Sequence, residues 1–139
     1  MKITTAMRVH RILKALKNYE HAQPQVDELT SPSRISNLGA LLGYYRNSNI
    51  EEDVVAIFDQ GLTWNDNGNL IVLRFIDIID VELTEGKNSE SLLLKMKSSQ
   101  TVDLPIKGRH ERCYDSLEVL RFLRRVMTDA KHQNPLCIQ

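Results

Sequence analysis

Four side chains near the C-terminus have the donor chemistry that a structural zinc ion prefers: His110, Cys113, His132 and Cys137. The first pair and the second flank a segment that reads as a helix of about fifteen residues, which would hold them about 20 Å apart. Two ligand pairs so separated do not close on one ion, and no metal or other cofactor is expected. Nucleophilic catalysis would need a Ser or Cys beside a base that is itself oriented by an acid. The chain has no Gly-x-Ser-x-Gly, no glycine loop to cradle a phosphate and no His-Glu-x-x-His. Carboxylates are plentiful, but most alternate with apolar residues and so belong in water. The expectation is a protein without catalytic activity.

Binding chemistry is better represented. Glu51, Glu52, Asp53, Asp59, Asp77, Asp80 and Glu82 form an acidic block that could match a basic protein partner and steer its approach. Tyr44 and Tyr45 are candidate aromatic anchors beside it, whereas Trp64 is as well suited to the core. Net charge is zero, yet it is sorted along the chain. Residues 1–47 carry seven Lys/Arg against three Asp/Glu, residues 48–106 four against eleven, and residues 107–139 seven against four. An acidic middle between basic ends argues against nucleic-acid binding by the domain as a whole.

A length of 139 residues, 42% of them hydrophobic and 26% charged, suits a single folded domain with a sizeable core. The longest uncharged apolar runs, such as Val54 to Phe58, are far too short to cross a bilayer. The opening MKITTAMRVHRILKALK has no continuous apolar stretch of the secretory kind. Two cysteines cannot build a disulfide framework, so a reducing cytoplasm is the simplest expected compartment.

These candidates must be positioned by elements, and the periodicity supplies them. Residues 1–21 read as a helix with Thr4 or Thr5 as N-cap. Met7, Ile12, Leu13, Leu16 and Tyr19 form its apolar stripe, and Arg8, Arg11, Lys14 and Lys17 lie on another face. That helix could dock on the sheet, lie on an anionic membrane or dimerise through the same stripe; it lacks Trp or Phe to anchor it in a membrane, which favours docking. Residues 22–37, with Pro24 and Pro32 in a polar background, read as a linker. Extended periodicity then takes over, with strands at 38–46, 54–58, 70–75, 79–83, 92–96 and 102–106. Asn67–Gly68 supplies the two positive-φ positions of a tight hairpin. Ile79, Val81 and Leu83 alternate with Asp80, Glu82 and Thr84, which puts the aliphatics inside. Pro105 marks a strand end or a sheet edge. Residues 115–129 close the domain as an amphipathic helix, with Asp115 and Glu118 at capping-box spacing.

Six or seven short antiparallel strands followed by one helix resemble a pleckstrin-homology-like domain, particularly its bacterial members. The carrying stretch is DVVAIFDQGLTWNDNGNLIVLRFIDIIDVEL, residues 53–83, in which Gly61-Leu62-Thr63-Trp64 is followed by Phe75, Asp77, Ile78 and Val81. LLLKMKSSQTVDLPIKG, residues 92–108, and the helix with Leu120, Phe122 and Leu123 continue the likeness over about two-thirds of the chain. The resemblance implies an α+β fold: a partly open antiparallel barrel or sandwich over residues 38–130, capped by the C-terminal helix. An additional N-terminal helix and linker over 1–37 would precede it, and a tail over 131–139 would follow. It also implies an adaptor that binds lipids, peptides or proteins. One departure narrows this. Phosphoinositide binders of the superfamily place several basic residues at the first hairpin, where this chain has Arg46 against Glu51, Glu52 and Asp53, a set that repels polyphosphate. The function expected is therefore protein binding, in its most concrete form a small immunity protein that neutralises a toxin with a basic surface. The alternative is a peripheral membrane module using the basic N-terminal helix.

Overall fold

The computed structural model describes residues 3–21, 38–48, 53–86, 89–110 and 113–133. The expected linker at 22–37, Glu51, Glu52, Cys137 and the tail beyond residue 133 lie outside them. The chain begins with α1 (Thr5–Arg8), which runs into a π-helical turn (Val9–Leu13), and then forms β1 (Tyr19–His21). Seven longer strands follow: β2 (Leu41–Arg46), β3 (Val54–Phe58), β4 (Gly61–Asp66), β5 (Asn69–Arg74), β6 (Ile78–Leu83), β7 (Ser91–Met96) and β8 (Thr101–Pro105). A 3-10 turn (Phe75–Asp77) joins β5 to β6. A small hairpin of β9 (Arg109–His110) and β10 (Cys113–Tyr114) leads into α2 (Asp115–Gln133).

The fold is α+β. One antiparallel sheet has the order β1-β2-β3-β4-β5 and a second the order β6-β7-β8, and the two do not close into a barrel. Two of the reversals have a clear local cause. Asn67 and Gly68 have φ of 53° and 86°, the positive pair that a two-residue hairpin between β4 and β5 requires. Ser99, at φ 71°, turns β7 into β8. Val55, Ile57, Leu62 and Trp64 face α2 and the second sheet in the main core, with Ile78, Val81, Leu92, Leu94, Leu104, Phe122 and Leu123. Phe75 and Phe122 meet edge to face with centroids 6.1 Å apart, a geometry that aligns the positive ring edge with the negative face. A smaller cluster of Leu38, Ala56 and Phe58 forms apart from it.

Two expectations are corrected. The N-terminal helix does not reach residue 21. Thr4 caps it, accepting from the Met7 N–H at 3.2 Å, but after Leu13 the chain turns and Tyr19–His21 pairs with β2. Tertiary contacts override helical propensity there: the Arg46 N–H donates to the Asn18 carbonyl at 3.0 Å, and Tyr19 Oη donates to the Leu42 carbonyl at 3.3 Å. Gly43 permits this approach, since a Cβ there would meet Tyr19 Oη and the Glu20 carbonyl. The second correction concerns β6. Its pairing slips between Ile78 and Asp80, so Ile78 and Val81 are buried while Ile79 stands 52% exposed. An irregularity in one strand resets which residues face inward, and simple alternation cannot anticipate it.

Candidate functional site

Residues 3–21 and α2 close one side of the molecule. Val9, Ile12, Leu13 and Leu16 are buried in the main core. Arg8 makes a two-pronged ion pair with Asp129 of α2, at 2.9 and 3.1 Å. Thr5 Oγ1 donates to the Asp59 carbonyl at 2.6 Å. The segment is docked, and its apolar stripe is spent on the core; Arg11, Lys14 and Lys17 stay exposed with no apolar stripe beside them to enter a membrane. No helix among the described residues is long and apolar enough to cross a membrane.

Beneath this lies a buried polar knot. Tyr45, 1% exposed, donates from its hydroxyl to Asp115 Oδ2 at 2.7 Å and accepts the Gly108 N–H at 2.9 Å. The Asp115 N–H in turn donates to the Gly108 carbonyl at 3.0 Å. A Cβ at Gly108 would meet Tyr45 Oη, the Asn18 amide and Asp115, so only glycine fits. Burial, and then the hydrogen bond to the Asp115 carboxylate, raise the Tyr45 pKa above its ordinary value. Burial also pushes the Tyr19 phenol up, to about 12. Asp115 does not make the expected capping box: its Oδ2 serves Tyr45, and its Oδ1 has no hydrogen-bond partner among the described residues.

The described acidic residues fall on several elements. Asp53 precedes β3, where its carbonyl accepts the Asn47 N–H. Asp59 sits in the β3–β4 turn, on a hollow of about 360 Å³ whose floor includes Phe75 and which Asp129 also lines. Asp77 lies in the 3-10 turn, and its carbonyl receives the Lys97 N–H. Asp80 and Glu82 share β6, flanking buried Val81; Asp80 Oδ1 accepts the Val81 N–H at 2.9 Å, and Glu82 pairs with Lys95 at 3.2 Å. Of the aromatic candidates, Tyr44 is half-buried against the Leu38, Ala56 and Phe58 cluster. Tyr45 is a core residue and presents nothing to a partner. His110 and Cys113 are backbone partners in the β9–β10 hairpin, and His132 lies at the far end of α2, about 26 Å along the helix. Among the described residues no three His, Cys, Asp or Glu gather as metal ligands.

Elsewhere the two sheets part. A cleft of about 850 Å³ separates the β4–β5 hairpin from β8. Trp64 and Ile71 line one wall with Asn65 and Asp66; Gln100, Thr101, Val102, Asp103 and Pro105 line the other. Trp64 is 3% exposed, so it offers the cleft a sliver of a ring fixed in the core. Among the described residues that line the cleft are two carboxylates, Asp66 and Asp103, and no Lys or Arg, so the space favours cations over phosphates. β8 is the last strand of its sheet. Near its end the Asn47 side chain imitates a neighbouring strand, donating to the Pro105 carbonyl at 2.9 Å and accepting the Lys107 N–H at 2.8 Å.

Sequence reasoning passed over Asp66, Gln100, Thr101 and Asp103. Asp66 reads as a turn former and Asp103 as an ordinary solvated strand position. Pro105 was the one signal, and it stands where it indicated, at the end of an edge strand. No protein-family model, curated protein or solved structure matches the chain.

Proposed function

We propose that this chain is a non-catalytic protein-binding module that takes an extended, basic segment of its partner into the cleft between the β4–β5 hairpin and β8. The carrying observation is that one cleft combines an edge strand, an apolar floor of Trp64, Ile71 and Val102, and, among the described residues, only acidic charges, Asp66 and Asp103. An edge strand offers backbone groups to an incoming strand, the floor receives its apolar side chains, and the carboxylates select for Lys or Arg. A pleckstrin-homology-like ancestry is consistent with four strands, β2–β5, followed by three, β6–β8, and a closing helix. The narrowest form of the proposal is an immunity protein whose partner is a toxin, held through a basic segment and working in the cytoplasm.

Calorimetric titration of the whole chain with a short peptide alternating arginine with valine tests the reading. Binding is expected to weaken with salt and to vanish when glutamate replaces arginine. Equal binding of both peptides, or of neither, contradicts it.

A further inference from the structure

Two sheets that do not close leave four edge strands, β1, β5, β6 and β8; β1 and β6 are guarded, and β8 is blocked only at its C-terminal end. β1 is three residues long and carries Glu20, which pairs with Arg46. β6 carries a pairing irregularity, and Arg124 of α2 reaches the Val81 carbonyl at 3.4 Å. At β8 the block, Pro105 and the Asn47 clip, is confined to the strand's end and leaves the outward backbone groups of Thr101 and Asp103 to the partner segment proposed above. Such devices keep sheet edges from pairing with other chains. Among the described residues, none of these guards β5. It is six residues long, pairs with β4 without a register shift, and has no charge or proline before Arg74. Leu70 and Val72, two of the three exposed large hydrophobic residues among the described residues, stand on it at 38% and 37% exposure.

We propose that β5 is a self-association edge, through which two copies of this chain pair antiparallel into one continuous ten-stranded sheet. The register follows from the backbone. The Phe75 N–H points to β4, donating to the Gln60 carbonyl at 3.0 Å. Alternation along the preceding strand turns the N–H and carbonyl groups of Leu70 and Val72 away from β4. Side chains on one face of the joined sheet must lie opposite side chains of the same face. Leu70 and Val72 share the face of Thr63, to which Val72 is paired, and oppose Ile71, which lies across from buried Trp64. The pairing that satisfies both conditions and hides the most apolar surface sets Leu70 of one copy against Val72 of the other, twice, about a two-fold axis at Ile71. Each such pair exchanges two backbone hydrogen bonds. The same register carries Arg74 of each copy towards the other copy's β4–β5 hairpin, where Asp66 stands, so the ends match in charge. A single strand pair is a small contact, and the dimer is correspondingly weak and concentration-dependent.

Sedimentation equilibrium of the whole chain from micromolar to millimolar concentration should show a reversible monomer–dimer equilibrium. Leu70→Lys alone and Val72→Glu alone should each weaken it at least tenfold while circular dichroism stays unchanged. Mixed in equal amounts, the two variants should dimerise again, because the new lysine then faces the new glutamate. A wild-type chain that stays monomeric throughout, a dimer indifferent to Leu70→Lys, or a mixture that fails to re-pair would each overturn the proposal. None of these readouts depends on what occupies the cleft.

Discussion

The side of the molecule closed by residues 3–21 and α2 uses its polar groups differently from the cleft side. On the closed side polar groups are tied to one another: Arg8 to Asp129, Thr5 to the Asp59 carbonyl, Tyr45 to Asp115 and Gly108. Around the cleft, Asn65, Asp66, Gln100, Thr101 and Asp103 all face solvent. Buried polar groups need fixed partners or they destabilise the fold, whereas exposed ones are free to exchange water for a ligand. Polar side chains therefore hold the structure together on one side and are available for recognition on the other.

Substitutions can break that division. Leu13→Ala, which empties a 1% exposed site in the core, should cost about 2–5 kcal/mol in urea unfolding and leave peptide binding by the folded protein intact. Tyr45→Phe removes the donor to Asp115 and should cost about 1.5–3 kcal/mol by the same measurement. Arg8→Ala breaks an ion pair whose partners are 15% and 16% exposed; its bidentate geometry suggests about 1 kcal/mol after solvent screening. The closed side should also weaken in alkali. Tyr19 and Tyr45 have folded pKa values raised above the ordinary phenol value, so their contribution is whole below about pH 10 and is lost as pH rises through the folded value, about 12 for Tyr19. Ultraviolet titration of phenolate alongside circular dichroism should show ionisation and unfolding together. Asp66→Asn combined with Asp103→Asn should shift stability by no more than about 0.5 kcal/mol, while costing the basic peptide most of its affinity.

Much of this was legible in the residues themselves. Val54–Phe58, the Asn67–Gly68 hairpin and the amphipathic run after Asp115 announce β3, the β4–β5 turn and α2 through local signals alone. What escaped depends on distant parts of the chain meeting. Tyr19 becomes a strand residue because β2 lies beside it, and Ile79 turns outward because β6 slips against β7. Of the acidic block along the sequence, Asp59 goes to the β3–β4 turn and Asp77 to the 3-10 turn, while Asp80 and Glu82 stay together on β6. The cleft was invisible for the converse reason: Asp66 and Asp103 lie 37 positions apart and come together only when the two sheets pack.

The most direct test of the cleft is an amide-resolved NMR titration of the whole chain with the arginine–valine peptide. The largest shifts are expected at Asn65, Asp66, Ile71 and Gln100 through Asp103, with α2 and residues 3–21 unmoved, and Asp103→Lys should abolish them. Shifts centred on α2 or the N-terminal segment, or persisting in Asp103→Lys, would contradict this account.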